Sequence, residues 1–182
     1  LTDKMTEYRT ETEKLLFNLP LAGSAFRKIY FDPMLDRPAS MFVPAEDFVV
    51  SYGASDLTTC DRATHIMKKS TNDIKKLQVI GFYKDVDLQE PSDDLTNIQS
   101  KYNELTGERQ TYENDNRHTI LEMMVDLDLK GFEDRKDGQV TGIALPYVIT
   151  LDYQSSKILA IRRNFIEDDP LKKRRQHFVH YQ

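Results

Sequence analysis

The chain has 182 residues, of which 39% are hydrophobic and 30% charged, with a net charge of −5 and a single cysteine. This length and composition are typical of one globular domain whose core is stable without cross-links. The charge excludes an overall basic field that would attract nucleic acid or an anionic membrane, one cysteine excludes an intrachain disulfide, and no apolar run approaches the roughly 20 residues that span a bilayer.

The first predicted element is a helical arm at about residues 3–20. Apolar residues recur there at helical spacing, with charged residues on the other face, and Pro20 and Gly23 predict its end. A strand follows over residues 25–32, which are rich in aromatic and branched side chains. Three further extended segments are predicted around residues 41–43, 48–50 and 63–68.

A short helix is predicted after Ser70, because Ser70 and Asp73 together resemble a capping box. Gly81 predicts its end, and three apolar residues would face inward: Ile74, Leu77 and Ile80. The acidic stretch that follows predicts a surface loop. A surface helix at about residues 92–106 comes next, with acidic residues in its first turn that complement the helix dipole.

The clearest strand pattern covers residues 119–129, where apolar and polar residues alternate with a period of two. The alternation predicts a buried face formed by Leu121, Met123, Val125 and Leu127. The opposite face is predicted to be largely wet, as in an antiparallel sheet with one solvated side. Asp137 and Gly138 indicate a turn, and residues 147–153 and 157–165 predict a hairpin.

These elements predict an α+β fold, mainly an antiparallel sheet with a long N-terminal helix and two or three shorter helices. We expect a single domain over residues 1–182, with a sheet core at about 25–82 and 118–181. The chain begins at Leu1 rather than at a methionine and ends in a strand-like stretch. We therefore expect it to be a fragment of a longer protein.

Three carboxylates on the polar face of the 119–129 strand are candidate metal ligands: Glu122, Asp126 and Asp128. Residues two apart on a strand point the same way, roughly 7 Å apart, and a divalent-metal nuclease or hydrolase needs several close oxygen ligands. A solvated strand face also needs polar residues, and no further nuclease motif accompanies these three. We therefore expect no metal and keep the metal-dependent hydrolase as the alternative.

The cysteine and the histidines are the other candidates for chemistry. Cys60 lies five residues from His65, but no second cysteine completes a zinc knuckle, and Asp61 would raise the pKa of the thiol. His177 and His180 are three apart in an extended stretch, so they point to opposite faces. Structural or surface roles are therefore favoured for these histidines and for His118. The sequence therefore predicts no catalytic residue and no cofactor.

Blocks of opposite charge alternate near the C-terminus. They comprise Arg162 and Arg163, then Glu167, Asp168 and Asp169, and then Lys172, Lys173, Arg174 and Arg175. A continuous basic stripe with aromatic residues would favour phosphate contacts, but the acidic triplet interrupts it. A solvated loop, a contact with another subunit and a DNA contact stay open, in that order of preference.

The order of segments resembles the wing region of phage portal proteins of the P22-like, podovirus type. The resemblance covers nearly all of the chain and is weakest between about residues 85 and 117. It rests on residues 15–24 (LLFNLPLAGS), 25–33 (AFRKIYFDP), 43–50 (VPAEDFVV) and 62–67 (RATHIM). The hairpin at 147–165 and the basic run at 172–175 fit the stretch that precedes the pore-lining stem in such portals.

The resemblance implies a non-enzymatic structural protein in a dodecameric ring at one vertex of the capsid. Its partners would be other portal subunits, capsid and scaffold proteins, with terminase and tail proteins bound through regions outside this chain. No membrane partner and no DNA contact are implied for the wing itself. Its place would be the virion, and the bacterial cytoplasm during assembly. A generic adaptor domain of another assembly is a further alternative.

Overall fold

The computed structural model describes residues 5–91 and 117–182. The surface helix predicted at about residues 92–106 lies outside the described residues. In chain order the described elements are α1 (Tyr8–Ala22), β1 (Ala25–Asp32), β2 (Arg37–Pro44), a 3-10 turn (Ala45–Asp47), β3 (Phe48–Val50), β4 (Arg62–Ser70), α2 (Thr71–Val79), β5 (Arg117–Leu127), β6 (Arg135–Lys136), β7 (Gln139–Val140), β8 (Leu145–Asp152), β9 (Ile158–Arg163) and β10 (Phe178–Tyr181). None of the described helices is both long and apolar enough to cross a membrane.

The strands form a three-stranded sheet, a five-stranded sheet and a small hairpin. The first has the order β10-β1-β2, the second β3-β4-β5-β8-β9, and the hairpin joins β6 to β7. Each strand pairing within the described residues is antiparallel. The α+β class with mainly antiparallel sheets and a long N-terminal helix is confirmed.

The two larger sheets pack against each other at one end through aromatic side chains. The ring centroids of Phe26 on β1 and Phe48 on β3 lie 4.3 Å apart, and those of Phe48 and Phe178 on β10 lie 4.7 Å apart. These three rings belong to the first apolar cluster of the core, and contacts of this geometry stabilise a core beyond their buried area. At the other end, α2 packs on the five-stranded sheet through Ile74 and Leu77, which join Ile120 in a second apolar cluster.

Both faces of β5 are covered, so the predicted face assignment is wrong. Ile120 and Met124, on the face that also carries Glu122, are 0% and 5% exposed. Met123 and Val125, on the face predicted to be buried, are only half-buried against a third cluster that contains Tyr147 and Phe165. The sequence pattern misled because a sheet that packs on both sides does not need a wet face.

Helix α1 covers the free edge of β2. The carboxylates of Glu7 and Glu11 accept hydrogen bonds from the backbone N–H groups of Ser40 (3.2 Å) and Phe42 (2.7 Å). Residues four apart on a helix and two apart on a strand have similar spacing, so the two glutamates match successive edge donors. The helix thereby satisfies backbone groups that an exposed edge strand would offer to another chain.

Two predicted helix boundaries need correction. Pro20 lies inside α1, which continues to Ala22. Gly23 ends the helix with a φ of 68°, and its N–H donates a hydrogen bond of 2.8 Å to the Leu19 carbonyl. Helix α2 stops at Val79, so Ile80 is 54% exposed rather than turned inward. The predicted cap is confirmed, because the Ser70 side chain accepts a hydrogen bond from the Asp73 N–H.

Candidate functional site: an ion pair between the sheets

A largely buried ionic contact joins the two large sheets. Lys28 on β1 and Glu122 on β5 form a salt bridge, with only 7% and 20% of their side chains exposed. Lys28 shares its face of β1 with Phe26 and Tyr30, and its ammonium lies 4.9 Å from the Tyr30 ring centroid. Because most of both side chains is shielded from solvent, the attraction between the two charges is only weakly screened.

His65 on β4 completes this ionic cluster. Its Nδ1 lies 3.8 Å from the Glu122 carboxylate, and its ring packs edge-on against Phe178 with centroids 5.5 Å apart. Burial lowers the pKa of His65, although Glu122 opposes that shift. Burial would raise the pKa of Glu122, but Lys28 and His65 outweigh it and lower that pKa to about 2. The carboxylate is therefore charged throughout the physiological range.

Two clefts border the ion pair, and both are lined by Lys28, Tyr30, Phe82 and Glu122. The larger cleft, of about 360 Å³, extends toward β4 and the β1–β2 turn. The smaller one, of about 230 Å³, extends toward β9 and β10. The ion pair thus forms a common wall of the two open spaces.

A second buried polar group joins α2 to the five-stranded sheet. His118 on β5 lies with its Nδ1 3.5 Å from Asp152 Oδ1 and its Nε2 3.2 Å from the Thr71 hydroxyl. The other Asp152 oxygen accepts hydrogen bonds from the Ser155 backbone and hydroxyl. The group orders the start of α2 and the β8–β9 turn around one buried carboxylate. Thr71 and Asp152 carried no signal in the sequence, because their partner is distant along the chain.

The three predicted metal ligands do not converge. Glu122 is held by Lys28, whereas Asp126 accepts a hydrogen bond of 2.8 Å from Arg174. Asp128 lies beyond the end of β5 and is exposed. Within residues 5–91 and 117–182, no group of three or more histidine, cysteine, aspartate or glutamate side chains could hold a metal ion.

The remaining cysteine and histidines have structural contacts. Cys60 is buried in the first apolar cluster and its thiol donates to the Leu57 carbonyl at 3.4 Å. His177 lies 2.8 Å from the Asn164 side-chain oxygen, and His180 lies 2.8 Å from the Ser24 hydroxyl while it stacks on Phe26. The two histidines have different partners, in keeping with their predicted opposite orientation.

Much of the charged C-terminal segment is used inside the chain. Arg163 pairs with Glu167 at 2.7 Å, and Lys172 pairs with Asp134. Arg174 donates to the carbonyls of Cys60 and Asp61 as well as to Asp126. Asp169 accepts from the backbone N–H groups of Leu171 and Lys173. Five of the candidate contact residues are exposed: Arg163, Glu167, Asp168, Lys173 and Arg175.

Neither the protein-family models nor the curated proteins contain a match to this chain. The fold and the ionic cluster therefore define the chain as an antiparallel α+β protein with a polar seam between two sheets.

Proposed function

We propose that this chain is the wing region of a podovirus-type phage portal protein. In this role it is a structural part of a ring at the capsid vertex that supports DNA packaging, head completion and DNA ejection. What carries the proposal is the order of the segments that resemble such portals. They lie in the end of α1, in β1, from the end of β2 through β3, and in β4 directly before α2.

The surface of α1 supports an assembly role. Leu16, Phe17 and Leu21 are 61%, 73% and 76% exposed, although all three are large apolar side chains. Phe17 and Leu21 are four residues apart and so lie on the same face of the helix, and a patch of exposed apolar side chains is typical of a contact with another protein. The buried face of the same helix carries Leu15, and Glu11 binds the β2 edge. The helix therefore has one face fixed on its own sheet and one face free for a neighbour.

The use of the polar residues also favours a structural role. Glu122, Asp126 and His118 each have a partner that ties two elements of the fold together. Such contacts fix the relative positions of strands, which suits a component that must hold one shape in a large assembly. The neighbours in this role are other portal subunits, with capsid and scaffold proteins around the wing.

A test is to produce the protein encoded by the complete reading frame and to image it by cryo-electron microscopy. We expect dodecameric rings in which this domain lies at the periphery. A protein that stays monomeric, or forms assemblies without a central channel, would contradict the portal role. Metal titration followed by thermal shift addresses the hydrolase alternative, because a specific site stabilises the fold by mass action.

The α1 surface offers a more local test in the same rings. Phe17→Asp places a charge in the exposed apolar surface and is expected to reduce ring yield without unfolding the domain. Thr10→Asp is the matched control, since Thr10 is exposed on the same helix and an acidic residue in the first turn is favourable. Equal ring yield from both variants would exclude this surface as a subunit contact.

A further inference from the structure

The smaller of the two clefts is strongly cationic. Its lining includes Lys28, Arg162, Arg163 and Arg175, against Glu122 as its only carboxylate within the described residues. The larger cleft is balanced, with three lysines facing three carboxylates. Since Glu122 is already paired with Lys28 and Arg163 is paired with Glu167, the excess charge of the smaller cleft comes from Arg162 and Arg175.

Arg162 is a half-buried cation without a carboxylate partner in the described part of the chain. Its guanidinium lies 3.7 Å from the Phe82 ring centroid and also donates to the Phe82 carbonyl. Burial lowers the pKa of Arg162, which reflects the cost of keeping a charge out of water. The ring and the carbonyl offset that cost only in part, because neither carries a full negative charge.

The backbone of Arg175 is held by hydrogen bonds, whereas its side chain has no hydrogen-bond or ion-pair partner among the described residues. Its N–H donates to the Asn164 carbonyl at 2.8 Å, and the Asn164 amide donates back to the Arg175 carbonyl at 3.2 Å. Asn164 is only 2% exposed, so this anchor is rigid. No described residue accepts a hydrogen bond from the Arg175 guanidinium or forms an ion pair with it. The residue is thus positioned at the cleft with five free donors.

We propose that this cleft binds a compact, multiply charged oxyanion, carried by a phosphate or carboxylate group of a small molecule. The anion would lie between the guanidinium groups of Arg162 and Arg175. Planar guanidinium groups bind such oxygens in bidentate fashion, and the aromatic walls formed by Tyr30, Phe82 and Phe178 lower the local dielectric and strengthen the contact. The volume lies below the roughly 300–1,000 Å³ of common ligand pockets, which favours a compact ligand.

Calorimetric titration of this chain with pyrophosphate and, separately, with citrate tests the proposal, at constant ionic strength. We expect saturable binding of at least one of the two anions, with one site per chain. Arg175→Gln should weaken that binding about tenfold, which corresponds to the loss of roughly 1.4 kcal/mol. Because the Arg175 side chain forms no hydrogen bond or ion pair with the described residues, the variant should keep the circular dichroism and melting temperature of the parent.

Arg62→Gln is the matched control. Arg62 is an exposed residue at the start of β4 and does not line the cleft, so its loss changes the net charge equally but leaves the site intact. Binding should persist in this variant. Absence of saturable binding for both anions, unchanged binding in Arg175→Gln, or equal weakening in the two variants would each overturn the proposal.

Discussion

Lys28 and Glu122 are two single residues, one on each large sheet, that form a salt bridge in the largely apolar space between the sheets. Each lies among apolar neighbours on its own strand, Lys28 between Phe26 and Tyr30, and Glu122 between Ile120 and Met124. An unpaired charge at either place would be costly. When the two charges are paired, their attraction offsets the cost of burying them. The pair need not stabilise the fold more than apolar side chains of similar size would. We expect that the pair instead favours one alignment of the two sheets, because a shifted register would separate the two charges.

The first prediction compares the loss of one partner of the ion pair with the loss of both. Lys28→Met leaves Glu122 buried without its cation and should lower the free energy of unfolding by about 3–5 kcal/mol. The double variant Lys28→Met, Glu122→Leu should recover most of that loss, since both charges are then absent. Urea unfolding followed by circular dichroism measures both.

Acid provides a check on the same pair. The pKa of Glu122 is lowered from 4.5 to about 2, so its stabilising effect is complete above about pH 4.5 and is lost as the pH falls toward 2. Glu122→Gln removes this titration, and the stability gap between parent and variant should therefore narrow in acid. A single Lys28→Met variant as stable as its parent would show that the pair is not buried in solution.

At the level of elements, β5 is a strand that contributes to both apolar clusters on the inner side of the five-stranded sheet. It lies in the middle of the five-stranded sheet, between β4 and β8. Its inner face contributes Met124 to the first apolar cluster and Ile120 to the second. A change on that face therefore affects the packing of the smaller sheet and of α2 at once.

The second prediction compares one substitution on the two faces of β5. Met124→Lys places a charge among Phe26, Phe48 and Phe178 and should destabilise the domain by more than about 3 kcal/mol, enough to unfold a marginally stable protein. Met123→Lys should cost clearly less, because a half-buried lysine can extend its ammonium to water. Thermal unfolding of the two variants tests the assignment, and a larger loss for Met123→Lys would reverse the faces.

Much of this element structure could be predicted from local sequence signals. The strand at residues 25–32, the cap at Ser70 and the turn at Asp137 and Gly138 depend on neighbours in the chain, and all three are confirmed. The face of β5 could not be predicted, because it depends on which other elements cover the sheet. Alternation alone does not distinguish a half-wet strand from one that is buried on both sides.

The candidate site was predicted only in part, for the same reason. The sequence indicates Glu122 as a candidate because other carboxylates lie near it on the strand. Its partner Lys28, however, is 94 positions away. Nothing in the sequence around Lys28 indicates a buried cation, since aromatic residues occur on both faces of β1. Likewise, the pairing of Glu7 and Glu11 with the edge of β2 follows from tertiary docking of α1.

At the scale of the whole molecule, few surface residues are available for a contact with another subunit. Four of the basic candidate contact residues already have partners within the chain: Arg162, Arg163, Lys172 and Arg174. The exposed apolar surface of α1 rests on three large side chains. A stable interface commonly buries about 800 Å² on each partner, which is more than three side chains of this size supply.

The last prediction is that this 182-residue chain is mostly monomeric in dilute solution, even if the proposed portal protein forms a ring. Association costs roughly 4–15 kcal/mol in lost freedom, whereas exposed ion pairs contribute about 0–1 kcal/mol each and weaken with salt. In a closed ring, several regions of each subunit share this cost and later contacts become intramolecular. Light scattering after size exclusion, at micromolar protein and moderate salt, should give the mass of one chain. A stable ring under these conditions would mean that this 182-residue chain by itself drives oligomerisation.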